Sequence, residues 1–129
     1  MPALLIFAIG IFALYLSSGR TTLFTPQDAR NDLVSNSKAL ADFLRDSGGV
    51  DMRPDPENDP TDLRYLQRRF IAFFQRTWNT ARGLGATPQG TENLTLRVDG
   101  IWDDDTARAF RGMNGFIPPQ KYGTVSGYR

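Results

Sequence analysis

The sequence predicts a mainly α-helical protein with an N-terminal single transmembrane helix, a helical spacer and a small three-helix domain. Residues 3–17 form an uncharged, almost wholly apolar run. Apolar residues recur every three or four positions in three later stretches, and clusters of Pro and Gly separate these stretches. We therefore expect a transmembrane anchor over 1–19, a helical spacer and Pro-rich linker over 20–60, a helical domain over 61–117 and an extended tail over 118–129.

Composition narrows the possible functions. The 129 residues include 15 basic and 14 acidic ones, with no long run of either sign, so we expect no nucleic-acid partner. The chain has no Cys and no His, which removes disulfides, thiolate nucleophiles, imidazole bases and the usual zinc ligands. Its only glutamates are Glu57, in a Pro-rich stretch, and Glu92, in a predicted loop, and neither context raises the pKa of a general acid. We expect a protein that is not an enzyme, with no catalytic residue, cofactor or metal site.

The N-terminal run has the length of a membrane span. The uncharged stretch reaches Gly19, which at ~1.5 Å per residue gives roughly 28 Å. Tyr15 suits the headgroup level, and Arg20 would end the span at the interface. We favour a retained single-pass anchor that contacts the lipid bilayer through residues 3–17, over a cleaved signal peptide or a buried core helix.

The distribution of basic residues bears on membrane topology. Arg20, Arg30 and Lys38 follow the apolar run, and no basic side chain precedes it. The positive-inside rule therefore favours the C-terminal part of the chain on the cytoplasmic side.

The first soluble helix is predicted over residues 26–46. Thr25 is a suitable N-cap, Pro26 suits the first helical position and Asp28 completes a capping box. Packing on its own domain is the default for this helix, ahead of a second copy or a neighbouring protein. Its expected inward stripe is Leu33, Val34, Ser37, Leu40, Ala41 and Leu44.

A second helix is predicted over residues 61–82, and it carries the largest apolar content outside the anchor. Gly83, Gly85, Pro88 and Gly90 end it. The stretch 91–98 favours a short strand before the Asp99-Gly100 turn. The expected inward face of the helix is Leu63, Leu66, Phe70, Phe73, Phe74, Thr77 and Trp78.

Four carboxylates lie close together at Asp99, Asp103, Asp104 and Asp105. Helical spacing from Trp102 through Met113 predicts a last helix over 103–114, with Asp103 as its N-cap. The next two aspartates would occupy its first turn, where the helix dipole favours negative charge. A calcium loop requires a central Gly and a closing Glu, which this stretch lacks. We therefore interpret the cluster as the start of a helix.

The stretch VDGIWDDDTARAFRGMNG resembles the C-terminal half of the type 1 peptidoglycan-binding domain. An Asp-Gly pair, an aromatic residue two positions on, a Thr four further on and an apolar helix match that family's pattern. The Leu66-Gln67 pair is similar to one in the family's first helix, and the resemblance covers residues 62–116. The residues that carry the motif are Asp99, Gly100, Trp102, Thr106, Ala109 and Phe110.

The resemblance implies that most of these residues are fold determinants. Asp99 and Gly100 would form the turn, Trp102 and Phe110 would lie in the core, and Thr106 would hydrogen-bond the turn. Ligand contacts are expected from other residues, because Arg pairs bidentately with carboxylates of the stem peptide and Tyr stacks or donates a hydrogen bond. The ligand-binding candidates are Tyr65, Arg69, Arg108 and Arg111, with solvated helix faces as the alternative.

Two hypotheses for function follow. In the first, a membrane-anchored, non-enzymatic protein with a peptidoglycan-binding-like domain tethers a bacterial inner membrane to the cell wall. In the second, the chain is a structural membrane protein of a membrane-containing bacteriophage virion. Its domain would then dock on neighbouring capsid or vertex proteins in a larger assembly, next to the internal membrane of the virion. The topology rule favours the second hypothesis, and the motif favours the first.

Overall fold

The computed structural model describes residues 24–54 and 59–125. Within them the architecture is mainly α-helical, as expected. No helix of this part of the chain is long and apolar enough to cross a membrane. The predicted anchor, with its apolar run 3–17, lies outside the described residues. The elements in chain order are helix α1 (Pro26–Asp46), strand β1 (Val50–Asp51), helix α2 (Leu63–Gly83), helix α3 (Asp104–Asn114) and strand β2 (Gln120–Lys121).

Helix α1 begins as the sequence predicts. The Thr25 side chain accepts a hydrogen bond from the Asp28 backbone N–H at 3.1 Å, and the Asp28 carboxylate accepts one from the Thr25 N–H at 3.0 Å. This reciprocal capping box satisfies two backbone donors at the helix start. The inward stripe is confirmed at Leu33, Leu40 and Leu44, whereas Val34 is exposed.

Helices α1 and α2 lie side by side and run antiparallel. The Phe43 and Phe70 rings stack with centroids 4.8 Å apart near one end. At the other end, Arg30 Nη1 donates to the Ala86 carbonyl at 3.4 Å. Helix α1, expected within a spacer, thus packs against α2 and contributes Leu33, Leu40 and Leu44 to the core that α2 and α3 share. The boundary expected at residue 60 runs through one hydrophobic core.

The inward face of α2 differs from the expected one. Phe74 and Trp78 are fully buried, as predicted, but Leu63, Leu66 and Phe73 are exposed. The helix is rotated because its buried polar side chains hydrogen-bond backbone of the neighbouring segments, which apolar side chains at the same positions could not do. The residues that α2 buries are Gln67, Ile71, Phe74, Gln75, Trp78 and Ala81.

The prediction of a strand over 91–98 is wrong, since this segment has no regular secondary structure. Its backbone bonds to side chains of α2 where a strand would bond to a partner strand. Asn79 donates from Nδ2 to the Leu96 carbonyl at 2.7 Å and accepts the Leu96 N–H at 2.9 Å. Trp78 Nε1 donates to the Leu94 carbonyl at 2.7 Å. The helix thereby satisfies the backbone groups of an extended segment.

The linker and the tail contact each other. Strands β1 and β2 form a two-residue parallel pair in which Val50 aligns with Gln120 and Asp51 with Lys121. Val50 is fully buried, and the Lys121 ammonium donates to the Ser47 carbonyl at 2.8 Å. The tail predicted as an extended arm therefore docks, as far as Val125 is described, on its own domain.

Candidate functional site

The Asp99-Gly100 turn is held by one side chain of α2. Gln75 Oε1 accepts hydrogen bonds from the N–H groups of Asp99 and Gly100 at 3.0 and 2.8 Å. Its Nε2 donates to the Ile101 carbonyl and to Thr106 Oγ1, both at 3.0 Å. Gln75 is therefore the residue through which α2 binds both the turn and the start of α3. Hydrophobic periodicity does not identify Gln75, because it marks only the apolar positions of the helix.

Gly100 meets two requirements at once. Its φ is +73°, which L side chains rarely adopt. A Cβ atom built there would lie 2.3 Å from Arg68 Cγ and 2.6 Å from the Arg68 carbonyl oxygen. The turn thus needs Gly for its conformation and for its close approach to α2.

The aromatic residues of the motif lie in the core. Trp102 and Phe110 are buried, with ring centroids 5.5 Å apart in an edge-to-face arrangement. Phe110 also contacts Phe74 of α2 edge-to-face at 6.3 Å. Trp102 and Phe110 therefore join α3 to α2 and are not available to a ligand.

The acidic cluster starts α3, as interpreted from the sequence. Asp103 is the N-cap and accepts the Thr106 N–H at 2.8 Å, while Asp99 Oδ1 accepts the Ile101 N–H at 3.0 Å. The first-turn carboxylates of Asp104 and Asp105 both face Arg108. The hydrogen bond to Asp105 raises the pKa of the Arg108 guanidinium. No group of three or more acidic side chains in the described residues is placed to hold a metal ion.

The four predicted ligand residues fall into two pairs on two helices. Tyr65 and Arg69 lie one turn apart on α2, with Arg69 Nη1 3.5 Å from Tyr65 Oη and the guanidinium carbon 5.7 Å from the ring centroid. Arg108 and Arg111 lie on α3, and both are exposed. Arg108 is engaged by the aspartates of its own helix, so its charge is already partly balanced.

The Tyr65–Arg69 pair is part of a longer strip on α2, in which Arg69, Phe73 and Arg76 are exposed and Tyr65 is half-buried. Arg69 and Arg76 both lie over the Phe73 ring, each 5.8 Å from its centroid. Phe73 and Arg76 were not among the predicted ligand residues, because Phe73 was expected in the core. The spacing of three and four residues between these aromatic and basic side chains is the sequence signal that could have found the strip.

Helix α2 is strongly basic. It contains Arg64, Arg68, Arg69, Arg76 and Arg82 and no acidic residue. Arg64 forms an ion pair with Asp62 at 2.9 Å, and Arg82 donates to the Glu92 carbonyl at 3.1 Å. Over residues 24–54 and 59–125, no carboxylate forms an ion pair with Arg69 or Arg76. The strip therefore presents positive charge that could accept a carboxylate from another molecule.

The described residues thus bring a half-buried Tyr65 and an exposed Arg69 together on a helix whose other side lies in the core. Neither a scan against protein-family models nor searches of curated proteins and of solved structures find a match to this chain.

Proposed function

We propose that the chain is a membrane-anchored, non-enzymatic protein whose helical domain binds peptidoglycan and so tethers membrane to wall. Residues 3–17 supply the anchor in this proposal, since their uncharged apolar run suits a bilayer. The Asp99-Gly100 turn, joined through Gln75 to Thr106, is consistent with the motif resemblance on which the ligand class rests. The domain acts by binding, and the proposal assigns it no catalytic group.

The observation that carries the proposal is the Tyr65–Arg69 pair, in which Arg69 is exposed and Tyr65 is half-buried. Arg69 has no intramolecular carboxylate partner in the described residues, and its planar guanidinium can bind a stem-peptide carboxylate through two hydrogen bonds. Tyr65 presents a ring on which a sugar can stack and a hydroxyl that can hydrogen-bond. Arg108 already pairs with Asp104 and Asp105, and within the described residues Arg111 lies over no aromatic ring, whereas Arg69 lies beside Tyr65. We therefore place the ligand on α2 and not on α3.

Titration of the full chain in detergent micelles with a soluble muropeptide tests this proposal. Arg69→Ala should raise Kd by about 10- to 100-fold, since a charge-assisted hydrogen bond contributes ~1.5–3 kcal/mol. Tyr65→Ala should also weaken binding, whereas Arg45→Ala, a matched loss of one exposed arginine on α1, should leave Kd unchanged. Equal Kd values for wild type, Tyr65→Ala and Arg69→Ala would overturn the site.

A folded domain without affinity for wall material would favour the second hypothesis. In that case the same surface docks on a protein, as expected for a structural protein of a membrane-containing virion. Isolation of the intact assembly and cross-linking of its neighbours to α2 would then identify the docking partner.

A further inference from the structure

Helix α2 leaves an apolar row uncovered beside α1. Leu63, Leu66, Phe70 and Phe73 follow a spacing of three, four and three residues, which places them along one side of the helix. Leu63, Leu66 and Phe73 are 59%, 40% and 38% exposed, so the row forms a continuous apolar surface on one side of the helix. Phe43 of α1 stacks on Phe70 and extends the row across to α1. We call this surface the outer face of the α1–α2 pair.

The α1 side of the outer face is acidic. Asp28, Asp32, Ala39, Phe43 and Asp46 recur at helical spacing, so they lie along the same side of α1 as the Phe43–Phe70 contact. All but Asp46 are half-buried. Burial and the neighbouring Asp28 raise the pKa of Asp32, consistent with carboxylates gathered at this edge.

The α2 side of the outer face is basic. Arg69 and Arg76 lie over the Phe73 ring and have no carboxylate partner in the described part of the chain. The face thus has an apolar centre, an acidic edge on α1 and a basic edge on α2. An anionic lipid surface would be repelled by the acidic edge, and a uniformly acidic partner would be repelled by the same edge. A partner that carries the opposite order of charges fits both edges.

We propose that a second copy of this chain covers the outer face. A two-fold axis parallel to the helices places α1 of one copy opposite α2 of the other, so that each acidic edge meets a basic edge and the apolar rows meet in the middle. The product is an antiparallel four-helix arrangement, a common solution for two helical hairpins. Two helices of 21 residues present a face of roughly 600 Å², and two such faces reach the lower limit of specific interfaces.

The same axis keeps both copies in one orientation relative to a membrane. Rotation about an axis parallel to the helices leaves the N-terminal ends of both α1 helices at the same end of the dimer. Both N-terminal segments could then enter one bilayer; this one argument rests on the anchor of the proposed function. The charge order and the apolar row stand without it.

The oligomeric state of the full chain in detergent micelles tests the proposal. Light scattering corrected for bound detergent should give the mass of two chains for the wild type. The double variant Leu66→Glu/Phe73→Glu should weaken the dimer by about 100-fold or more, as expected when buried apolar anchors are replaced by charge. Val34→Glu is the matched control, because Val34 is similarly exposed on α1, at 46%, but outside the outer face. A monomeric wild type, or a dimer that survives the double variant, would overturn the proposal.

Cross-linking tests the orientation of the two copies. Phe43 lies level with Phe70, and both helices rise ~1.5 Å per residue, so Ala39 lies level with Phe74 and less than one turn from Thr77. Because the chain has no Cys, mixing Ala39→Cys and Thr77→Cys chains and oxidising them should give the mixed disulfide in preference to either symmetric one. Predominance of the Ala39→Cys homodimer would overturn the arrangement.

Arg69 belongs both to the basic edge and to the proposed ligand site, so a second copy on the outer face competes with a muropeptide carboxylate for it, and the two proposals are distinguished by separate readouts. Loss of the dimer in the double variant is measured by mass, and ligand binding is measured by muropeptide Kd in the Tyr65→Ala and Arg69→Ala variants. If the wild type is a dimer and the muropeptide Kd is unchanged in those two variants, the interface is supported and the ligand site is rejected. If the wild type is a monomer and both substitutions weaken muropeptide binding, the ligand site is supported and the interface is rejected.

Discussion

Gln75 shows how one polar side chain can determine the position of a helix. Its amide accepts two backbone N–H groups, donates to a carbonyl and donates to Thr106, so α2, the turn and α3 meet at one residue. Gln67 does the same on a smaller scale, accepting the Asp51 N–H and donating to the Asp51 carbonyl, each at 2.9 Å. Hydrophobic periodicity does not identify such residues, because their burial is decided by the partners that the fold brings to them.

Replacement of Gly100 by a residue with a side chain should destabilise the domain. Gly100→Ala should lower the free energy of unfolding by about 2–5 kcal/mol, because a positive φ is strained for Ala and its Cβ would overlap Arg68. Gly90→Ala is the matched control, since its φ is +91° but a Cβ there meets nothing within 4 Å. That variant should lose only about 1–2 kcal/mol. Urea denaturation measures both values. Equal losses would show that the overlap with Arg68 adds nothing to the strain of the positive φ.

Part of the candidate site could be predicted from the spacing of single residues in the sequence. Tyr65 and Arg69 are both among the predicted ligand residues, and the structure brings them together because a separation of four residues places side chains side by side on any helix. The same rule, applied to Asp104, Asp105 and Arg108, would have shown that Arg108 has partners of its own. The sequence predicts Phe73 in the core because it does not show that Gln67 and Gln75 lie on the buried side of α2.

At the scale of elements, local signals located the helices. The helix expected over 26–46 has those bounds in the structure, and the helix expected over 103–114 starts at Asp104 after the Asp103 cap. Caps and breakers act within a few residues, so the sequence contains them fully. The strand expected over 91–98 failed because its backbone partners, Trp78 and Asn79, lie on a distant helix turn.

The N-cap of α2 predicts a pH dependence. Asp62 accepts the Arg64 N–H at 2.8 Å and pairs with the Arg64 guanidinium, and this hydrogen bonding lowers the pKa of Asp62 to about 2. In the unfolded chain the pKa of an Asp side chain is about 3.9. The folded pKa is depressed, so the stabilisation is fully present above the unfolded value and is lost as pH falls through the folded value.

The variant Asp62→Asn keeps a cap oxygen but does not titrate. The free energy of unfolding of the wild type minus that of Asp62→Asn should therefore be constant above ~pH 5. This difference should shrink between ~pH 4 and ~pH 2. Thermal or urea denaturation across this range measures the difference. A difference that does not change with pH would show that Asp62 contributes only as a neutral acceptor.

At the scale of the whole molecule, contacts far apart in sequence complete the domain. The segment expected to be a linker contributes Val50 to the core, and the tail covers it through β2. Strands of two residues carry no periodic signal, so their pairing could not be predicted from the chain. For the same reason the sequence predicts the apolar stripe of α1 but not the helix against which it packs.

The tail should therefore contribute to stability. Truncation after Pro118 removes the Pro119 and Lys121 carbonyls that accept the Val50 and Met52 N–H groups at 2.8 and 2.9 Å. It also removes the Lys121 contact with Ser47 and uncovers Val50. We expect a loss of about 2–4 kcal/mol in the free energy of unfolding. Truncation after Val125 retains these contacts and is the control, and similar stability of the two truncated chains would contradict docking of the tail.

The most direct test of the central claim is co-sedimentation of the full chain, in detergent micelles, with purified insoluble peptidoglycan. The account predicts that the wild type sediments with the wall material, that soluble muropeptide releases it, and that Arg69→Ala stays largely in the supernatant while Arg45→Ala does not. A wild-type chain that is folded by circular dichroism and remains in the supernatant would contradict peptidoglycan binding.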